Sequence, residues 1–493
     1  MSMGGLDDRK LEEIVTRVVE RLAPSASAGR AIPNASPGEA CAPAPPIYVP
    51  HRTSGQGNRG LFDDVDHAVA AARVAHESLV HTMSLKKRDE IIEAMRQLTL
   101  SKLSELSQMA VTETGLGRYE DKINKNRLCA TATPGTEILR PWCQTGDDGL
   151  VLMERAPFGV ICAITPCTNA TETIICNAIG MLAAGNSVVF NVHPSAKGVC
   201  GTYVQWLNDA IVSVGGPENL ICMIREPTIE SANSLMTHKG IRLVVVTGGP
   251  GVVKAAMNSG KRAICGGPGN PPVLVDETAD IRRAGRDIVL GCSLDNNIVC
   301  IAEKEVFALR DIADLLKKEM CAQGAAEMSR QDIAKLEKLV VHDGHAVKDW
   351  VGQDAAKIAK AIGKNVPANT RVLLCEVDSE DHPFVQAELL MPVLPLVRVS
   401  SVEEGIAASV RAEHGFGHTA AMHSTNINAL HSMARAMDCS IFVKNAPTYA
   451  GLGFTGEGYT SFTIASPTGE GLTTSISFSR ERRCTLKDHF RIT

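Results

Sequence analysis

Four short apolar runs after Pro157 decide the fold class. They are VICAIT (160–165), SVVFNV (187–192), LICMI (220–224) and LVVVTGG (243–249), followed by helical composition at about 171–184, 195–214, 228–238 and from 250 onward. Continuous Val/Ile-rich strands without polar alternation are buried on both faces. Strands that alternate with helices of about 10–15 residues make parallel βαβ units, so the expected class is α/β with a covered parallel sheet. A second α/β series begins at PPVLVDE (271–277), and no internal repeat is evident. A chain of 493 residues exceeds what one core supports, so two or three domains are expected.

The first segment differs from the rest. Leu6, Leu11, Ile14, Val15, Val18, Val19 and Leu22 recur at three- and four-residue steps with charges between them. That spacing predicts an amphipathic helix over 6–22. Residues 23–59 are rich in Ala, Ser and Gly, carry prolines from Pro24 to Pro50, and read as a flexible or extended linker. A helix tethered away from the body buries its apolar stripe either on a neighbouring subunit or on another protein.

Bulk properties narrow the function classes. Net charge is −5, so no overall field draws nucleic acid or an anionic membrane. No apolar run reaches the roughly 18 residues of a membrane span, and the N-terminus has charges where a signal peptide needs its apolar core. The 15 cysteines are scattered, which suggests reduced thiols in a cytosol. None has zinc-site spacing, so no structural metal is expected.

Several stretches combine chemistry with position. SLDNNIVCIAEKE (293–305) places Cys300 between an amphipathic run, Ile281 to Leu294, and the apolar start of a strand. Core thiols and nucleophilic thiols both occur at such junctions. VVVTGGPGVVKAA (244–256) sets Gly248 and Gly249 between a strand and a helix. Such a turn lets a phosphate approach a helix N-terminus, but it is not GxGxxG, so a plain turn stays open. PFGVICAITPCTNATET (157–173) ends a strand at Thr165 and Pro166, with Asn169 close behind. An Asn amide there either holds an oxyanion or caps the turn. ICGGPGNPPVLVDE (264–277) is a tight linker with the character of a domain boundary, and Glu388 stands alone before an apolar run. Cys162, Cys167, Cys176, Cys265 and Cys292 read as small apolar fillers, with Cys167 notable beside Asn169. His418 and His423 read first as structural histidines.

Taken in order, PFGVICAITPCTN, SVVFNVHPSAK, GGPENL, LVVVTGGPG, GPGNPP, the Cys300 segment, ELLMPV, HGFGHTAAMHS and SIFVKNAP resemble the aldehyde dehydrogenase superfamily over about residues 60–493. DNNIVCIAEKE, TGGPGVVKAA, GPGNPPVLVDETAD, TPGTE (133–137), LLMPVLP and PTGEG (467–471) are most similar to its CoA-acylating branch, the propionaldehyde and acetaldehyde dehydrogenases of bacterial microcompartments. The resemblance implies a Rossmann-type NAD-binding domain over 60–264 and an α/β catalytic domain over 265–445. It also implies a small β oligomerisation element, from a hairpin at about 138–156 and the segment 446–493, giving a homodimer or homotetramer. Relatives carry a short N-terminal helix on a Pro/Ala-rich linker that directs them into the shell lumen. Residues 1–22 and 23–59 fit that pattern, which implies a shell-protein partner and a microcompartment in the bacterial cytoplasm.

The resemblance also assigns roles. Cys300 matches the nucleophile and Asn169 the oxyanion-hole amide. Thr165 and Pro166 match the strand end near the nicotinamide, and Thr247, Gly248 and Gly249 the turn beneath the pyrophosphate. His193 and Pro194 stand where many relatives have Lys-Pro beside the adenosine ribose. Glu388 matches the acid on the nicotinamide ribose, with Leu390 in place of the usual aromatic.

One departure bears on the reaction. Hydrolytic relatives place a glutamate about where Cys265 or Gly266 falls, and no carboxylate occurs here between Arg262 and Asp276. Without that base water is a poor nucleophile towards a thioester, whereas a CoA thiol attacks one readily. The expectation is NAD-dependent oxidation of a short aldehyde, propionaldehyde first, to its acyl-CoA. The rivals are an acetaldehyde-preferring enzyme, a hydrolytic dehydrogenase, or an inactive cargo or scaffold protein. The cluster Arg480, Arg482, Arg483 reads as a solvated face rather than a CoA phosphate site.

Overall fold

The computed structural model describes residues 58–492. The expected helix within 1–22, and all of the linker 23–59 but its last two residues, lie outside the described residues.

Six parallel strands form the first sheet, in the order Leu61–Phe62, Ile221–Ile224, Ser187–Asn191, Val160–Ile164, Ile241–Thr247 and Arg262–Gly266. Every residue of Val160–Ile164 and Ser187–Asn191 is buried, as aliphatic strands are when helices cover both faces. The helix Ala170–Ala183 is buried along its whole length. The helical stretch that follows Ser84 is broken at Lys102 into Leu85–Ser101 and Leu103–Thr114. There Thr99 and Ser101 hydroxyls donate to the carbonyls of Met95 and Leu98, which competes with a continuous ladder.

Chain order creates a crevice in this sheet. From Val160–Ile164 the chain steps outward to Ser187–Asn191 and Ile221–Ile224, then returns to the opposite flank as Ile241–Thr247. The two diverging strands are paired with Ile164 opposite Val246. Such a reversal is where open α/β sheets take ligands, beyond the carboxyl ends.

The GPGNPP stretch leads from the last strand of this sheet into the second. Seven parallel strands follow, in the order Ala325–Glu327, Val372–Val377, Val393–Val399, Glu305–Leu309, Pro272–Val275, Thr419–His423 and Ile441–Lys444. A third, antiparallel sheet joins Trp142–Gly146, Gly149–Pro157 and Ser479–Lys487. The hairpin therefore pairs with the C-terminal strand of its own chain, and that strand is exposed after its first residue.

The segment before that strand turns back into the body. Thr463 Oγ1 donates to Asn177 Oδ1 at 3.1 Å and lies 2.7 Å from Thr247 Oγ1. Ser475 Oγ donates to the Gly135 carbonyl at 2.9 Å. No helix among the described residues is long and apolar enough to cross a membrane.

Candidate active site

Because the second sheet is parallel, the amino ends of its strands share one edge. Glu388, Cys300, Gly269 and His418 each stand just before one of four adjacent strands: Val393–Val399, Glu305–Leu309, Pro272–Val275 and Thr419–His423. Four distant stretches of sequence become one cluster. The Gly269 N–H donates to Glu388 Oε1 at 3.2 Å. A Cβ on Gly269 would lie 2.8 Å from the Cys300 carbonyl oxygen and 2.9 Å from His418 Cγ. Only glycine permits that approach.

The loop carrying Cys300 is built by the three residues Asp295, Asn296 and Asn297, at φ 48°, 54° and 68°. The left-handed region costs most residues roughly 1–2 kcal/mol, and Asp and Asn tolerate it best. Buried hydrogen bonds hold all three. Asp295 Oδ1 accepts the Arg118 N–H at 2.6 Å, and its Oδ2 pairs with Lys122 at 3.0 Å and Lys125 at 2.6 Å. Asn296 Nδ2 donates to the Gly352 carbonyl at 2.9 Å. Asn297 Nδ2 donates to the carbonyls of Cys292 at 2.8 Å and Glu303 at 3.0 Å, and its Oδ1 accepts from Lys304 Nζ at 2.6 Å. The helix Ile281–Cys292 thus turns back rigidly into the strand Glu305–Leu309, with Cys300 between them.

Cys300 is partly exposed. Burial, and then the negative charge of Glu388, pushes its thiol up to about 12, against the pull of Lys304 and of the Cys300 and Ile301 backbone N–H groups on the sulfur. The resting thiol is therefore neutral near pH 7. Glu388 is itself raised by burial, against Lys304 and the Gly269 N–H. His418 is 1% exposed, with Nδ1 2.9 Å from Thr419 Oγ1 and Nε2 without a partner among the described residues. Burial, with Lys304 adding, holds its imidazole down to about 3, so it is neutral.

Asn169 stands immediately before the buried helix Ala170–Ala183, beyond the carboxyl end of Val160–Ile164. Its Oδ1 accepts from Lys125 Nζ at 2.6 Å, and Lys125 also pairs with Asp295 in the Cys300 loop. The remaining cofactor expectations gather on the carboxyl edge of the first sheet. Thr165 is buried there with Oγ1 unpartnered, and partly exposed Pro166 follows it. Thr247 ends the neighbouring strand, and Gly248 and Gly249 open the helix Pro250–Met257. A Cβ on Gly249 would meet nothing within 4 Å, so the helix start is uncovered. Exposed His193 and Pro194 stand just past Ser187–Asn191, the third strand of this edge, and His193 is lowered by partial burial and by Lys348. An unpartnered buried hydroxyl beside an open, glycine-flanked helix start suits a dinucleotide. Glu388 lies instead in the Cys300 cluster.

At the position of the missing glutamate, Cys265 is buried, and burial, with Glu470 adding, raises its thiol to about 11. The acid acting on it, Glu470, accepts from Thr468 Oγ1 at 2.5 Å and lies 3.9 Å from Arg262, so it is already engaged. Arg480, Arg482 and Arg483 are exposed on the antiparallel sheet. The sequence did not mark Lys125, His418 or Thr463 as site residues. Lys122 and Lys125 sit in a helix with no clear apolar stripe, so nothing in its pattern flags them as buried.

Comparison with known proteins fits this geometry. A sequence model of the aldehyde dehydrogenase family matches residues 49–463. The acetaldehyde dehydrogenase (acetylating) EutE of Escherichia coli is 49% identical over 440 residues, 88% of this chain and 93% of that protein. The structure of Rhodopseudomonas palustris propionaldehyde dehydrogenase with bound propionyl-CoA superposes with a TM-score of 0.86 at 48% identity, over 87% of this chain and 96% of that one. The propionaldehyde dehydrogenase from the Clostridium phytofermentans fucose utilisation bacterial microcompartment gives 0.87 at 48% identity, over 88% of this chain and 100% of that one. The former has also been solved with bound CoA and an acylated cysteine. The latter has been solved with a cysteine and, separately, a histidine replaced by alanine, and those two positions are as far apart along its sequence as Cys300 and His418 are here.

Proposed function

This chain belongs to the aldehyde dehydrogenase family, and from that premise we propose that it oxidises a short aldehyde, propionaldehyde or acetaldehyde, to the corresponding acyl-CoA. Residues 60–264 would hold a nicotinamide dinucleotide along the edge formed by Thr165, Thr247, Gly248, Gly249 and His193, with Glu388 as the candidate contact from the Cys300 cluster. When bound, that dinucleotide accepts the hydride. Residues 265–445 carry the nucleophile.

Cys300 adds to the aldehyde carbon as its thiol proton is released to solvent water, the C=O π bond becoming the oxyanion. The Asn169 amide and the Cys300 N–H donate to the oxyanion that forms, and one such donor is worth roughly 10²–10³ in rate. Loss of hydride leaves an acyl thioester on Cys300. CoA then attacks the thioester carbon as the Cys300–carbon bond breaks, and His418 Nε2 relays the CoA thiol proton to the departing Cys300 sulfur, which restores the resting thiol.

The observation that carries this reading is at Cys265. No carboxylate stands where a hydrolytic base would act, and Glu470 is engaged by Thr468 and Arg262. A steady-state assay of two- to four-carbon aldehydes with NAD or NADP, with and without CoA, tests it. Sustained turnover requires CoA on this reading, and free acid formed at full rate without CoA contradicts it.

The N-terminal segment supports a location as well. Residues 1–22 have an amphipathic pattern on a Pro-rich linker, and a relative comes from a bacterial microcompartment. The segment docks on a shell protein, and the exposed strands of the antiparallel sheet join subunits into a dimer or tetramer. Deleting residues 1–22 leaves turnover in solution intact and releases the enzyme from purified compartments. A truncated chain that still co-purifies with shells contradicts the docking role.

A further inference from the structure

The Lys125 ammonium donates to the Asn169 side-chain carbonyl and lies within ion-pair distance of two buried carboxylates. Lys125 Nζ is 2.6 Å from Asn169 Oδ1, 2.6 Å from Asp295 Oδ2 and 3.1 Å from Glu172 Oε1. The side chains of Lys125, Asp295 and Glu172 are 1%, 0% and 1% exposed, so water does not compete. Asp295 also takes Lys122 and the Arg118 N–H, and is held below the usual carboxylate range against the opposing effect of burial. The group of charges is balanced and fixed.

An ammonium has donors and no acceptor. The Asn169 amide can therefore face it only through Oδ1, since the flipped rotamer would set an N–H₂ group against three N–H hydrogens. With the carbonyl pinned, Nδ2 is forced to the other side. There its one contact among the described residues is Thr168 Oγ1 at 3.4 Å, too long to use its donor capacity. The same ammonium holds Asp295, the first of the left-handed residues that shape the Cys300 loop.

We infer that Lys125 is a positioning residue for the acylation chemistry: it fixes the flip of the Asn169 amide so that Nδ2 faces the nascent oxyanion, and through Asp295 it ties that donor to the loop that carries Cys300. This rests on the reading of Asn169 as an oxyanion donor. Lys125 touches neither substrate nor cofactor and acts through its neighbours. A rigid donor costs no reorganisation when charge develops, which is where electrostatic catalysis gains most.

The test is a double-mutant cycle on the full-length enzyme, reading kcat and KM for the aldehyde at saturating CoA. Lys125→Met lowers kcat about tenfold or more with the aldehyde KM nearly unchanged, and Lys125→Arg, which keeps charge and donors, recovers part of the loss. In an Asn169→Ala background the same Lys125→Met change adds little, because the group it positions is gone. If Lys125→Met does not fold, Lys125→Gln, which keeps two donor hydrogens for Asp295, takes its place in the cycle. Losses that multiply in full, or a Lys125 variant with unchanged kcat, overturn the proposal while leaving the role of Asn169 intact. An Asn169→Ala enzyme with unchanged kcat removes the oxyanion reading and the proposal with it.

Discussion

The Gly269 N–H donates to Glu388 Oε1 at 3.2 Å, which holds a carboxylate beside the segment packed against Cys300. The charge of Glu388 helps to push the Cys300 thiol up to about 12. At any pH below that value the thiolate is the minor form, growing about tenfold per pH unit. Glu388→Gln removes the charge, lowers the thiol and raises the thiolate fraction at each pH. Alkylation of Cys300 by iodoacetamide, followed on its peptide by mass spectrometry, should therefore be faster in the variant, with its pH profile displaced to lower pH. An unchanged profile would mean that Glu388 does not bear on the thiol.

Gly269 packs against the Cys300 and His418 segments too closely to leave room for a methyl group. In Gly269→Ala the new Cβ meets the Cys300 carbonyl and the His418 ring at 2.8 and 2.9 Å, so the loop must shift. Overpacking of this kind costs roughly 1–3 kcal/mol, and a displacement near 1 Å at a reacting centre costs on the order of 10²-fold in rate. The expected variant is folded by thermal melt, slightly less stable, and greatly slowed in kcat. A variant with wild-type kcat would show that the contact is dispensable.

Asn297 offers a stability test whose sign is unusual. Both Asn297→Ala and Asn297→Gly lose the bonds to the carbonyls of Cys292 and Glu303, at roughly 1–3 kcal/mol for each group left unpaired. Ala also has to occupy φ 68°, which costs about 1–2 kcal/mol that glycine does not incur. Chemical denaturation should rank the glycine variant above the alanine one, the reverse of the order in a helix.

Much of the fold was legible because its signals are local. The buried strands at 160–165 and 187–192 carry continuous aliphatic runs, and the helix expected at about 171–184 is Ala170–Ala183. The break at Lys102 was not legible, because it depends on hydroxyls bonding back to the helix rather than on a helix breaker. The site divides the same way. Cys300, Asn169 and Glu388 emerged from motif order, but nothing local brings them together. For Cys300 and Glu388 convergence comes from parallel strand pairing, which sets the amino ends of Val393–Val399, Glu305–Leu309, Pro272–Val275 and Thr419–His423 side by side. Asn169, from the first sheet, is linked to the Cys300 loop through Lys125. His418 read as structural because its local sequence fits a core histidine. Its free Nε2 and its place against Gly269 are visible only in three dimensions.

His418 separates the two half-reactions. With its Nε2 assigned to the CoA thiol proton, His418→Ala should retain the first turnover of NADH and lose roughly 10²-fold or more in the CoA-dependent steady state. Equal loss in both phases would place His418 in aldehyde oxidation instead.

The most direct measurement is rapid mixing of enzyme, NAD and propionaldehyde without CoA, followed by NADH absorbance. With no base at Cys265 to activate water, the account predicts a burst of about one NADH per Cys300, then a near halt, with an acyl group on Cys300 by mass spectrometry and turnover restored by adding CoA. Continuous NADH formation without CoA, yielding free acid, would contradict it.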